Sequence, residues 1–324
     1  MNLIEAFDKK LIIDKKPDKI IETIVSRLYF YGDKVYKIYK YEKFFFGDFS
    51  SPDFRKKFYK EDFSWNHTMA PDVYSALRGV IKTGDKYKVA ELSKADDFFI
   101  EMKKFDDSKN LTNLLIQKNI SDTDIEKIIL EMTARLNKIT NSKKNDPDYD
   151  FNKKFIDIHL ADLESDANLL YLIPSFIAKE KIDIIINFLK NTSLSNLYFK
   201  NYDTGKLSAL IDNHADNIVF LEGQVEFIDV LPPKESWRIG DICFIVSRVA
   251  TDIAVLWSKE RADILYNIYE KNNKPILPEI RAIYEIRSAL IQIWCFYSQK
   301  KLNIAQKYLE FIEEKMSFIA RLKT

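Results

Sequence analysis

Asp212, Asn217 and Asp229 stand at a spacing that suits transfer of a phosphoryl group. An Asp that accepts a hydroxyl proton must face the phosphate, and an Asn a few residues on turns back to hold a divalent cation. A second Asp, carried on a short hairpin, then reaches the same cation. The intervening residues fit that demand: Ile218-Val219-Phe220-Leu221 and Val225-Glu226-Phe227-Ile228 are apolar runs about Glu222-Gly223, as a hairpin requires. The plain alternative for Asp212-Asn213-His214-Ala215-Asp216-Asn217 is a loop, because Asp and Asn bond nearby backbone and crowd into turns.

Such residues need a scaffold, and the chain reads as two halves. The first holds strands and one helix. Arg27–Tyr31 and Lys34–Tyr39 flank Gly32-Asp33, an aromatic-rich hairpin. Asp53 to Met69 has helical spacing and stops at Ala70-Pro71. Strands follow from Arg78 to Ile81 and Tyr87 to Leu92 about Gly84-Asp85, and from Phe98 to Lys103. From Asn110 onward the pattern is helical. Ser121 caps a run from Asp122 to Ile139, and Asn141 to Lys154 is a polar, lysine-rich loop. Helices are expected over Phe155–Leu172 and Ser175–Lys190. After the hairpin, further helices are expected over Ile239–Trp257, Ala262–Lys271, Pro278–Tyr297 and Leu302–Leu322. The expectation is an α+β, protein-kinase-like two-lobed fold. Residues 1–103 form a small strand-rich N-lobe, and residues 104–324 a larger helical C-lobe with the catalytic loop and hairpin.

Composition narrows the function. The 324 residues carry 46% hydrophobic and 31% charged side chains, as a folded soluble protein does. A net charge of +1, from 50 basic and 49 acidic residues, argues against a nucleic-acid partner. The aromatic load (Phe44-Phe45-Phe46, Phe98-Phe99, Tyr29, Tyr31) is accordingly read as core. No apolar run reaches the length of a membrane span, and the charged Asp8-Lys9-Lys10 argues against a secretory signal. Cys243 and Cys295 have no C-x-x-C context and are expected to be reduced core residues of a cytoplasmic protein. With 7 glycines in all and none before Gly32, a glycine-rich phosphate loop is absent from the N-terminus. Gly205-Lys206 likewise lacks the spacing of a P-loop.

From about Ile20 to Tyr297 the chain resembles the aminoglycoside-phosphotransferase-like enzymes, in particular the broad bacterial group of phosphotransferases with undefined substrate. The resemblance is carried by Glu22-Thr23-Ile24-Val25-Ser26, Gly32-Asp33 and Tyr36-Lys37-Ile38-Tyr39-Lys40. Asn66, Ala70-Pro71-Asp72 and Tyr74 continue it, and Asp212, His214, Asn217, Asp229, Arg238 and Asp241 complete it. The motif is similar to His-Gly-Asp-x-His-x-x-Asn. Departures lie at Leu210 for its His, at Ile211 for its Gly, and at Val230-Leu231-Pro232-Pro233, where an acidic residue is usual. Ile245 replaces a further Asp, and the basic residues of the penultimate helix are reduced to Arg281 and Arg287.

The resemblance implies transfer of the γ-phosphate of ATP or GTP to a hydroxyl of a small-molecule acceptor. Asp212 would be the base or hydroxyl-orienting group, His214 its loop support, and Asn217 and Asp229 the magnesium ligands. Lys37 would pair with the nucleotide phosphates, with Lys40 the competing choice. Glu61, or its neighbour Asp62, would be the partner acid. Thr23 and Ser26 would meet phosphate in place of glycines, or simply cap a turn. Backbone groups of Glu101, Met102 and Lys103 would read the base as an interlobe hinge. Asp241 would orient the catalytic loop, while His67 and His159 are read as structural. Asp157, Asp162, Glu164 and Asp166 form either an acidic acceptor pocket or a solvated helix face, the latter favoured. Leu210 and Ile211 motivate a second reading, a catalytically degenerate pseudokinase that senses nucleotide or binds protein. The sequence sets no oligomeric state.

Overall fold

The computed structural model describes residues 1–44, 46–84, 86–203 and 206–322. Phe45, Asp85 and Gly205, which entered the aromatic, hairpin and P-loop readings, lie outside the described residues. The chain divides into two units, Met1–Lys109 with Val219–Lys234, and Asn110–Ile218 with Glu235–Thr324. The hairpin expected in the helical half therefore groups with the strand-rich half, and the first division falls at Lys109 rather than Lys103.

In chain order the first unit holds α1 (Leu3–Asp8), β1 (Lys19–Glu22), β2 (Ser26–Tyr31) and β3 (Lys34–Tyr39). The short pair β4 (Lys43–Phe44) and β5 (Gly47–Asp48) follows, then α2 (Pro52–Met69), β6 (Tyr74–Thr83), β7 (Lys86–Ala90) and β8 (Asp97–Lys103). Six strands form one antiparallel sheet in the order β1-β2-β3-β8-β6-β7. At the β2–β3 turn Gly32 has φ +63°, the left-handed region glycine enters without strain. Asp18 accepts its N–H at 2.6 Å. β8 is central, which explains why Phe98, Phe99, Ile100 and Met102 are all buried without alternation. Phe99 joins Leu3, Phe7, Tyr29, Ile38 and Val80 in a cluster with α1. On the other face, the ring of Tyr39 lies 5.1 Å from Phe58 and 5.0 Å from Tyr59 of α2. Alternation along β3 thus puts Val35, Lys37 and Tyr39 on one face, that of α2. Neither α1 nor β1 was foreseen; α1 is brief and starts on an Asn2–Glu5 capping box.

The second unit opens with α3 (Leu111–Ile116), α4 (Asp122–Lys143), α5 (Phe155–Leu170), α6 (Lys179–Ser195), α7 (Leu197–Lys200) and β9 (Ser208–Ala209). The hairpin strands β10 (Ile218–Leu221) and β11 (Gln224–Phe227) intervene, with Glu222 and Gly223 at positive φ in the turn. Then come β12 (Ile239–Gly240), α8 (Ile242–Leu256), α9 (Lys259–Asn272), α10 (Pro278–Ser298) and α11 (Leu302–Leu322). α8 begins after the expected Ile239 because β12 pairs with β9 and Asp241 caps the helix, accepting Cys243 N–H at 2.9 Å. Among the described residues no helix is long and apolar enough to cross a membrane.

Candidate functional site

In the first unit the polar centre is Lys37, almost wholly buried on β3. Its Nζ lies 2.5 Å from Asp229 Oδ1 and 3.6 Å from Asp62 Oδ2. Burial opposes the ammonium charge, but Asp229 and then Asp62 outweigh it and hold the Lys37 pKa well above the ordinary lysine value. Burial pushes the Asp62 carboxyl up, offset in part by Lys37. Asp62 also accepts from the Tyr39 hydroxyl at 2.7 Å and from Asn66 Nδ2 at 2.8 Å. The partner acid is therefore Asp62, a correction to Glu61. Neighbouring helical residues point about 100° apart, so the two cannot share a direction. Lys40 is instead 3.2 Å from Glu22 near the sheet edge.

Asp229 sits just past β11 at φ +52°, a left-handed backbone that Asp tolerates better than most residues. Its N–H donates to the Tyr74 hydroxyl at 2.9 Å, and Val230 N–H donates to Asn66 Oδ1 at 3.0 Å. The Asp229 side chain stays 61% exposed. These bonds tie the hairpin's end to α2 and β6 and give Asn66 and Tyr74 of the sequence motif a physical role.

The Thr23 and Ser26 hydroxyls lie 2.9 Å apart, and Thr23 Oγ1 accepts Ser26 N–H at 2.8 Å, so both side chains close the β1–β2 turn. Glu101, Met102 and Lys103 are the last three residues of β8. β8 is flanked by β3 and β6, Lys103 N–H donates to Val73 O, and the Glu101 carboxylate pairs with Lys34 and Arg78. Part of the backbone of these three residues is thus engaged in the sheet.

In the second unit the loop from Leu210 to Asn217 is pinned at successive points. Leu210 N–H donates to Arg238 O, Asn217 N–H to His214 O, and Asn217 Nδ2 to the Asp212 carbonyl at 2.9 Å. That last bond orients the Asn217 amide. Arg248 of α8 donates from Nε to Asn213 O and from Nη2 to Asp212 Oδ1, each at 2.8 Å. Asp252, one turn further along α8, accepts Ala215 N–H at 2.7 Å. His214 lies near Asp216 and Asp252. Leu210, in place of the motif's His, is buried against Gly240, where an added Cβ would stand 2.6 Å from Leu210 Cδ1.

The orienting acid was misplaced: Asp241 caps α8 and accepts from the Tyr198 and Tyr284 hydroxyls at 2.5 and 2.6 Å, while Arg248 and Asp252 hold the loop. Sequence reasoning missed both. The available signal was a pair of charges four apart in an otherwise apolar helix, which must find partners when buried. The acidic cluster of α5 is also corrected. Asp162 and Asp166 are neither a pocket nor a solvated face but buried partners of Arg287, at 3.1 and 2.9 Å. Asp157 and Glu164 are exposed, the latter 2.9 Å from Lys190. His67 Nδ1 donates to Tyr74 O at 2.8 Å, and His159 is buried beside Ser193 with its pKa driven well down by burial. Cys243 and Cys295 are free thiols, and burial pushes Cys295 up to about 12. Among the described residues no three His, Cys, Asp or Glu side chains form a metal-holding group.

No protein-family model and no curated protein matches this sequence. Solved structures share its fold. A choline kinase from Cryptosporidium parvum Iowa II is 12% identical over 94% of this chain and 88% of its own, with a TM-score of 0.52. A thermostable mutant of the aminoglycoside phosphotransferase APH(4)-Ia, in ternary complex with AMP-PNP and hygromycin B, is 10% identical over 96% and 98%, with a TM-score of 0.53. A streptomycin–ATP ternary complex of APH(2")-IIa is 14% identical over 98% of both chains, with a TM-score of 0.50. The chain thus has the α+β, two-lobed kinase-like fold of choline kinases and aminoglycoside phosphotransferases, and the resemblance drawn from its motifs is borne out at that level.

Proposed function

We propose that this protein transfers the γ-phosphate of ATP or GTP to a hydroxyl of a small-molecule acceptor. The observation that carries the reading is the loop around Asp212. It is pinned by backbone and side-chain bonds, yet leaves the Asp212 side chain 39% exposed. Phosphoryl transfer needs positioning and charge more than covalent chemistry, and a fixed, accessible carboxylate supplies a group to receive or orient the acceptor hydroxyl. Asn217 and Asp229 are hard oxygen donors, a set that suits magnesium, which takes one or two protein oxygens and completes its shell with water and phosphate. Magnesium, when bound, neutralises phosphate charge. Lys37, held cationic by Asp62 and Asp229, would move to the phosphates beneath the Thr23–Ser26 turn. The base would be read from the Lys103 end of β8.

Choline, streptomycin and hygromycin B are the acceptors suggested by the names of the fold's relatives. Here Asp162 and Asp166 are buried and both paired with Arg287, so those acids offer no surface to a polycation. The free thiols suit a reducing compartment such as the cytoplasm. The pseudokinase reading is favoured by one observation, the apolar Leu210 plug against Gly240.

Calorimetric titration of magnesium–nucleotide into wild type and Asp229→Asn, with turnover by Asp212→Ala, separates the two. An enzyme binds nucleotide in a magnesium-dependent way, loses affinity in Asp229→Asn, and loses turnover but not binding in Asp212→Ala. Normal turnover by Asp212→Ala would refute the mechanism, and absence of binding by wild type would favour the pseudokinase.

A further inference from the structure

Helix α8 is apolar on both sides of two charges: Phe244, Ile245, Val246, Val249, Ala250 and Ile253 are buried with Arg248 and Asp252. Side chains four apart lie over one another on a helix, so both charges face the same way. A buried guanidinium is expensive unless it is paired and hydrogen-bonded, and removing one partner strands the other. Arg248 is matched twice within a single loop. One fork nitrogen reaches the Asp212 carboxylate and another the carbonyl of Asn213, the very next residue.

We infer that Arg248 is a positioning residue for the transfer proposed above, clamping one Asp212 carboxylate oxygen to the backbone of its own loop and directing the other toward the acceptor hydroxyl. The inference rests on that functional reading. Both bonds come from one rigid, planar group, so the Nε bond to the Asn213 carbonyl fixes where Nη2 meets the carboxylate. Lysine, a point donor on a flexible stem, cannot reproduce the fork. The clamp also stands where the chain departs from the motif it resembles. The Leu210 side chain offers no hydrogen bond where the resembled motif has His, and that of Ile245 none where it has Asp one turn past Asp241. Arg248 lies about one turn beyond Ile245 on the same helix and supplies the missing hold from a different position.

The test measures ADP release from magnesium–ATP and GDP release from magnesium–GTP with water as the acceptor. Nucleotide affinity is read by calorimetry. The proteins are wild type, Arg248→Gln, Arg248→Lys, Asp212→Asn, and Asp212→Asn combined with each Arg248 change. Arg248→Gln is expected to lower kcat about tenfold to hundredfold at unchanged KM and nucleotide affinity. Arg248→Lys recovers only part of the loss. In the Asp212→Asn background, either change costs no further rate, because a residue acting through Asp212 has nothing left to position. Unchanged kcat in Arg248→Gln overturns the inference, as does an equal loss in both backgrounds, which would mark a merely structural role. Should Arg248→Gln fail to fold, the Lys variants complete the same cycle. A wild type that binds neither nucleotide overturns the functional reading itself, and that result is read before any variant is made.

Discussion

Asp252 offers a test of whether hydrogen-bond acceptance or charge holds the loop from Leu210 to Asn217 to α8. The residue is fully buried and accepts from Ala215 N–H at 2.7 Å, from the Tyr308 hydroxyl at 2.7 Å and from Gln292 Nε2 at 2.8 Å. Alanine removes the acceptor for all of these donors and opens a void. A stranded buried donor costs about 1–3 kcal/mol, so simple addition gives about 3–9 kcal/mol. Water entering the void and rotation of the hydroxyl lower that sum toward the ~3–5 kcal/mol typical of a broken buried pair. Asparagine behaves differently. Its oxygen, turned toward Ala215, keeps that bond, and its amide nitrogen then faces Tyr308 and Gln292. The Tyr308 hydroxyl rotates to accept, and a flipped Gln292 presents Oε1, a buried atom that has no partner in the native arrangement. Burial pushes the Asp252 carboxyl up, against the bonds from Tyr308, Ala215 and Gln292 and the nearby His214, so loss of the charge also removes a desolvation penalty. Asp252→Asn is therefore expected to cost less than about 1 kcal/mol. Urea-unfolding midpoints of wild type and the two variants decide it, since the shift at constant slope reports stability directly. If Asp252→Asn falls as far as Asp252→Ala, the charge itself is indispensable and the count of acceptors is the wrong account.

Arg287→Met leaves Asp162 and Asp166 buried without their cation and is expected to cost about 3–5 kcal/mol by urea denaturation. A change under about 1 kcal/mol would show those acids to be neutral already. Glu285 of α10 is buried, and burial raises its pKa above 4.5 against Lys315 and Tyr266. A raised carboxyl contributes stability that is complete below pH 4.5 and lost as pH rises through its folded value. Glu285→Gln should thus gain on wild type between pH 4.5 and neutrality, and a gap that widens against the variant would reverse the sign. Asp62→Asn should weaken magnesium–nucleotide binding about tenfold or more while Glu61→Gln leaves it within about twofold, because of these α2 acids it is Asp62 that faces Lys37, at 3.6 Å. Equal losses measured calorimetrically would return the role to both acids.

What was legible in the sequence was local. The β2–β3 hairpin announces itself through Gly32-Asp33 between aromatic alternations, and α4 through Ser121 and the periodic apolar residues after it. The Asp212, Asn217 and Asp229 spacing is likewise a property of one short segment. Register along β3 was also readable, since period-two alternation alone puts Lys37 beside Val35 and Tyr39. What stayed hidden depends on which face a helix turns to a neighbour distant in sequence. Glu61 and Asp62 are adjacent acids, and only the packing of α2 on β3 selects between them. Asp162 and Asp166 look like a hydrated face until Arg287, far along the chain, lies over Phe244 at 4.0 Å and takes both. The same limit concealed Arg248 and Asp252, although their isolation in an apolar helix carried a usable warning. Charges that a helix buries are there because something outside the helix needs them. In α8 that something is the loop from Leu210 to Asn217, whose Asp212 carboxylate and Asn213 carbonyl take Arg248 and whose Ala215 N–H takes Asp252.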